Sequence, residues 1–114
     1  MTIREELDRI RTEVFTSPDI HPADAAVHLN ALAALIGNLA DKVAERQMAY
    51  NRILHDAYEM ESKANRAKIL AEISPEYQAL LESKAAERTA TELMRALKYY
   101  IRVRQEEFEA SKHL

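Results

Sequence analysis

The chain has 114 residues, of which 47% are hydrophobic and 31% charged, and its net charge at neutral pH is −3. One glycine and three prolines supply too few turn residues for an all-β or Rossmann-type fold. Without cysteine the chain has neither disulfides nor thiolate chemistry, and its acidic balance argues against nucleic-acid binding by the whole surface. The composition therefore predicts a single all-α domain, covering residues 1–114.

The N-terminal residues predict a short amphipathic helix over about residues 2–16. Thr2 and Glu5 have the spacing of a capping box. Apolar side chains then recur at steps of three and four, at Ile3, Leu7, Ile10 and Val14. Pro18 and Pro22 disfavour helix in the residues that precede them, so the next segment is expected to be an extended connector. A helix of this length is marginally stable alone and is expected to pack against the rest of the chain.

The longest apolar pattern predicts a second helix over about residues 23–73, a stretch without proline. Its apolar side chains keep the seven-residue repeat that is typical of helices packed along a seam. Ser74 and Pro75 then have the residue types of an N-cap and a first helical residue. They predict a last helix over about residues 75–111. Because so short a turn joins two long helices, the sequence predicts an antiparallel, coiled-coil-like helical hairpin.

Counting outward from this turn places Tyr50 opposite about Lys98 and ends the last helix opposite about Gly37. The most hydrophobic part of the chain, residues 25–44, would then extend largely beyond its own hairpin. Two explanations are open: a second copy covers this segment, or the helix breaks at Gly37–Asn38 and folds back into a four-helix bundle. The heptad keeps its phase through the glycine, which favours the continuous helix.

The continuous helix predicts self-association, with a dimer favoured. The expected interface residues lie on the heptad seam and on a neighbouring stripe of small residues: Leu29, Leu32, Ala33, Ile36, Gly37, Leu39, Ala40, Val43 and Arg46. Arg46 occupies a core position, where a polar residue typically specifies register or oligomeric state. If its guanidinium is buried, we expect a carboxylate partner from another helix or another copy.

An alternative function uses a basic segment of the last helix. Its cations are Arg95, Lys98, Arg102 and Arg104, with two tyrosines among them and no acidic residue. The first three fall on one helical face, which is a geometry that tracks a phosphate backbone. The segment therefore indicates a small nucleic-acid-associated accessory protein, as the alternative to a structural or adaptor protein.

Motifs for catalysis, cofactors and metals are weak. His21, Asp24 and His28 are the best metal candidates, but no fourth ligand lies near them in sequence, and His55 with Glu59 is typical of a surface pair. A single glycine excludes phosphate-binding glycine loops. We expect neither enzymatic activity nor a cofactor or metal. No signal peptide or membrane-spanning run is recognisable, so a cytoplasmic protein without a membrane partner is expected.

Overall fold

The computed structural model describes residues 3–16 and 22–112, and all regular structure within them is α-helical. Helix α1 spans Ile3–Thr16, α2 spans Pro22–Met60, α3 spans Ala64–Glu72 and α4 spans Pro75–Lys112. The all-α fold, with a short N-terminal helix and a long helical hairpin, is confirmed. Thr2, and with it the predicted capping box, lies outside the described residues, as does most of the connector.

The single helix predicted over residues 23–73 is instead two helices. Helix α2 passes through Gly37–Asn38 without a break, ends at Met60, and α3 begins at Ala64. No glycine or proline marks this interruption. Residues 61–66 carry no large apolar side chain, and Met60 is 84% exposed. A straight continuation of α2 would therefore bury almost nothing, and burial is what stabilises a helix in a protein.

The start of α4 is as the sequence predicts. Ser74 precedes the first helical residue, Pro75, and its hydroxyl oxygen accepts a hydrogen bond from the backbone N–H of Tyr77 at 3.3 Å. That contact satisfies one of the backbone donors that every helix leaves unpaired in its first turn. Proline fits the next position because its missing N–H would have had no helical partner there.

The chain divides into two compact units, each of which contains part of α2 and part of α4. The terminal unit comprises residues 1–37 and 88–114, and the central unit comprises residues 38–87. The same two helices run through both units, and the prediction of a single domain stays a prediction.

The core of the terminal unit takes side chains from three helical segments. Leu7 and Ile10 are buried on α1, and the other buried positions lie on α2 and α4: Ala25, Leu32, Leu35, Ala90, Leu93 and Leu97. Burying each large aliphatic side chain contributes about 1.5–3 kcal/mol relative to leaving it in water. Residues 88–112 of α4 thus share a compact unit with residues 22–37 of α2. The expectation that the last helix ends opposite Gly37 is wrong.

The core of the central unit shows the register of the hairpin directly. Tyr50 of α2 packs with Ala71 of α3 and Leu80 of α4, and its ring lies 5.0 Å from that of Tyr77. Tyr50 was expected opposite Lys98, about six helical turns farther along α4. The interruption after α2 explains the difference. Helix α3 occupies the residues that the count assigned to a straight hairpin arm, and the start of α4 lies beside Tyr50, in the last third of α2.

Candidate interaction surfaces

Arg46 bonds to α4 of its own chain. Its Nη1 atom donates to the backbone oxygen of Ala79 at 3.0 Å and to Oγ of Ser83 at 2.5 Å. Ser83 is only 4% exposed and donates in turn to the Ala79 oxygen at 3.0 Å. The half-buried guanidinium thus has neutral partners in place of the expected carboxylate. These contacts join α2 to α4 at one position along each helix, as a residue that specifies register does.

The predicted interface residues fall into three groups by exposure. Leu32 and Leu39 are buried within the chain, and Leu29, Ile36, Val43 and Arg46 are half-buried. The exposed group consists of the small residues Ala33, Gly37 and Ala40. The heptad seam itself is therefore used inside the chain, whereas the neighbouring stripe of small residues lies open to solvent.

This small-residue stripe belongs to a wider apolar surface on α2. We call the exposed residues Ala26, Ala33, Gly37, Ala40 and Ala44 the outer stripe of α2. A Cβ atom added at Gly37 would meet no atom of the described residues within 4 Å, so none of them covers the backbone there. Val27, close to the stripe, is 65% exposed. The stripe contains no charged side chain, which is unusual for a solvated helix face.

The hydropathy of α2 also indicates an apolar surface that its own chain leaves exposed. Residues Ala23–Met60 include an 18-residue window with mean hydropathy 1.2, and only 22% of that window is buried within the chain. Among the described residues this is the one helix whose length and composition suffice to cross a membrane. Core helices of soluble proteins, which are mostly buried, and signal sequences near an N-terminus pass the same test, so one such helix is weak evidence for a membrane span.

Three of the four predicted cations of the basic segment on α4 are exposed. Arg95, Lys98 and Arg102 are exposed, and within the described part of the chain neither Arg95 nor Lys98 has a hydrogen bond or ion pair. The guanidinium of Arg102 lies 5.3 Å from the centre of the Tyr99 ring. We call these three cations and Tyr99 the basic face of α4.

Arg104 does not belong to this face. Its Nε atom donates to the hydroxyl oxygen of Tyr100 at 3.0 Å, and its Nη1 atom pairs with a carboxylate oxygen of Glu107 at 3.4 Å. The guanidinium also lies over the Tyr100 ring, 5.4 Å from its centre. Arg104 is half-buried and committed to neighbours on its own helix, so the structure separates it from the other three cations.

A surface that the sequence analysis missed lies on α3. This helix buries Ala67 and Ala71 against its own chain, while its larger side chains Ile69 and Leu70 are 60% and 45% exposed and the C-cap residue Ile73 is 74% exposed. The orientation is the reverse of an ordinary amphipathic helix, which buries its largest apolar residues. Helical spacing would have predicted the two faces of residues 64–73 if the end of α2 at Met60 had been known.

The structure does not bring the predicted metal candidates together among the residues that it describes. Among the described residues no three His, Cys, Asp or Glu side chains are grouped as a metal ion requires. His21, one of the three predicted candidates, lies outside those residues. His55 pairs with Glu59 at 3.1 Å, and the two side chains are 70% and 69% exposed, as the surface-pair interpretation predicts.

Comparison of the chain with known protein families, with curated proteins and with solved structures found no match. The outer stripe of α2 and the basic face of α4 are the two candidate interaction surfaces of this chain.

Proposed function

We propose that this protein is a non-enzymatic helical structural or adaptor protein that self-associates through the outer stripe of α2. The observation that carries the proposal is the exposure of the outer stripe on the most apolar helix, in which only 22% of the residues of an 18-residue window are buried. A helix that is apolar on most sides is stable in water when another surface covers it. A second copy offers that surface without requiring any other partner.

The chemistry of the outer stripe suits contact between two copies of α2. Side chains no larger than alanine at Ala33, Gly37 and Ala40 let two helix backbones approach closely, and open space at the glycine allows that approach. Because one stripe meets its own copy, the assembly has two-fold symmetry and closes as a dimer. The sequence assigned Leu32 and Leu39 to the same interface. They are buried core residues of each copy and pack on the inner side of α2, opposite the stripe.

Sedimentation velocity across a dilution series tests this proposal. We expect a dimer whose measured mass falls toward that of one 13.1 kDa chain on dilution. Ala33→Glu and Ala40→Glu place a charge in the stripe and are expected to yield monomers with unchanged helix content by circular dichroism, because a buried unpaired charge is costly. The control is Gln105→Glu, which adds the same charge at an exposed position of α4.

Two results would contradict self-association through this stripe. One is a compact monomer at every concentration. The other is a dimer that persists in both alanine variants, which would move the contact to another surface. A dimer lost equally in Gln105→Glu would show that net charge, and not the position of the charge, controls association.

A second candidate function, nucleic-acid binding, is favoured by the free cations of the basic face. Arg95, Lys98 and Arg102 follow one another at steps of three and four residues, so they lie on one side of α4 over about 10 Å. Such a row neutralises consecutive phosphates, while the acidic balance of the rest of the chain limits contact to this face.

Fluorescence anisotropy with labelled oligonucleotides at several salt concentrations tests the second candidate. Three phosphate contacts predict that log Kd rises with log salt with a slope of about 2–3. Arg95→Glu and Lys98→Glu are expected to abolish binding, whereas Lys68→Glu, an equal charge reversal at an exposed lysine of α3, is expected to leave it intact. Binding that ignores salt, or that responds to all three variants alike, would reject the basic face as the site.

A further inference from the structure

We propose that the basic face of α4 binds single-stranded nucleic acid, with one unpaired base stacked on the ring of Tyr99; the inference rests on the second candidate function and specifies its ligand. Tyr99 comes four residues after Arg95 and three residues before Arg102, so it shares their side of the helix. Its side chain is 61% exposed. An open aromatic ring within a row of free cations is the arrangement by which proteins hold single strands.

The neighbouring Tyr100 shows by contrast what is unusual about Tyr99. Tyr100 is half-buried, and its hydroxyl oxygen accepts a hydrogen bond from Arg104. Among the described residues Tyr99 has no hydrogen bond, and the guanidinium of Arg102 lies 5.3 Å from its ring centre. That guanidinium lies over the ring, and the 61% exposure of the residue leaves ring surface for contact with a base. Tyr100 is thus part of the fold, whereas Tyr99 is available to a ligand.

The cations on either side of Tyr99 fix how a strand would lie. Arg95 is about 6 Å before Tyr99 along the helix axis and Arg102 about 4.5 Å after it. A strand that runs along α4 therefore meets one cation on each side of the stacked base, where its phosphates lie. Glu92 and Glu106 are exposed on the same side of the helix, beyond the two ends of the row, and repel phosphates there. The contact is consequently short, a few nucleotides at most.

A single strand fits this arrangement better than a duplex does. The faces of paired bases are covered by their neighbours in the stack, and a ring on a convex helix surface reaches them only after a base has left the stack. Unpaired bases offer an open face at no such cost, and every base has one, so the contact is tolerant of sequence. Stacking of this kind typically changes affinity by about tenfold or more per base.

The test compares two probes, a labelled thymidine oligonucleotide and a duplex of the same length, by fluorescence anisotropy at low salt. Wild type is expected to bind the single strand more tightly than the duplex. Tyr99→Leu, which keeps an apolar side chain but removes the ring, is expected to weaken single-strand binding by about tenfold and to leave duplex binding unchanged. Tyr99→Phe, which keeps the ring, is expected to retain wild-type affinity.

Phe108→Leu is the matched control. Phe108 is another exposed aromatic residue of α4, 62% exposed, with the Lys112 ammonium 4.6 Å from its ring centre. The cation four residues before it, Arg104, already contacts Tyr100 and Glu107, so Phe108 lies outside the row of exposed cations. We expect this variant to bind both probes as wild type does. Circular dichroism of each variant confirms an equal helix content, so a loss of binding is not a loss of fold.

The outcomes separate this inference from the function on which it rests. If neither probe binds in a way that responds to Arg95→Glu, nucleic-acid binding by this face fails, and the inference with it. If binding responds to Arg95→Glu but not to Tyr99→Leu, the cations bind phosphate and the stacking inference alone is wrong. Equal weakening of both probes by Tyr99→Leu, an equal effect of Phe108→Leu, or tighter binding of the duplex would overturn it as well.

Discussion

The contact between Arg46 and α4 makes a quantitative prediction about stability. Arg46→Met removes the guanidinium but keeps an unbranched apolar stem, and Ser83→Ala removes one of its two acceptors. In the methionine variant the Ser83 hydroxyl still donates to the Ala79 oxygen, so no buried polar group loses all its partners. The two changes and their combination form a double-mutant cycle that isolates the contact between the two side chains.

The expected magnitudes follow from the geometry. A hydrogen bond to a charged group contributes about 1.5–3 kcal/mol when it is buried. Arg46 is half-buried, so water competes for its donors and the coupling with Ser83 is expected to be about 1 kcal/mol. Loss of both contacts in Arg46→Met should cost about 1–2 kcal/mol after the gain from a more apolar side chain. Since both partners are neutral, high salt should hardly change the coupling.

Urea denaturation followed by circular dichroism measures these free energies. Each variant is unfolded at two protein concentrations, because any loss of self-association would otherwise enter the stability difference. A coupling below about 0.3 kcal/mol, the usual limit of additivity, would refute the contact as a stabilising one. An increase in stability in Arg46→Met would show that the core of the central unit prefers an apolar residue there, as happens at some buried polar sites.

Three further predictions test the two cores and the uncovered face of α3. Leu97→Ala, at a fully buried position, is expected to cost about 2–5 kcal/mol, whereas Phe108→Ala should change stability by less than about 0.5 kcal/mol; thermal unfolding compares the two. Ala71→Leu is expected to destabilise by about 1–3 kcal/mol through overpacking, and Ile69→Lys to be nearly neutral, so equal losses in urea would contradict the described orientation of α3. Burial, followed by the charge of Glu72, raises the pKa of Tyr50 above its ordinary value of 10.0. The folded state therefore favours the neutral phenol. Its contribution to the free energy of unfolding is fully present below pH 10 and is lost as pH rises through the folded pKa. Over that pH range, Tyr50→Phe should lose less stability than wild type.

The sequence predicted those parts of the fold that local residue chemistry determines. The capped start of α4 follows from Ser74 and Pro75, and the continuity of α2 through Gly37 follows from the unbroken heptad. The interruption after Met60 has no local signal, since neither glycine nor proline occurs there. It results from the packing of the whole chain, because a separate α3 lets α4 cover more of α2 than it would in a straight hairpin. An incorrect helix boundary then displaced every predicted contact of the hairpin.

The sequence predicted the candidate surfaces in part, where helical spacing alone places residues on one face. Spacing alone placed Arg95, Lys98 and Arg102 on one face, and the structure leaves all three exposed. The exclusion of Arg104 was not predictable, because it depends on rotamers that bring the guanidinium to Tyr100 and Glu107. For α2, the sequence placed the small residues Ala33, Gly37 and Ala40 beside the heptad seam and assigned both to one interface. The division between seam and stripe required knowledge of which side α4 covers.

The intervening helix α3 also has a consequence for how this chain tolerates change in length. In a hairpin closed by a two-residue turn, each inserted residue shifts every later residue of one arm relative to the other. Here the arms are aligned by contacts away from the connection, namely Tyr50 with Tyr77 and Arg46 with Ser83. Insertions and deletions among residues 61–63 therefore change the path of α3 while the alignment of α2 with α4 is kept. Connection length and helix register are separate variables in this fold.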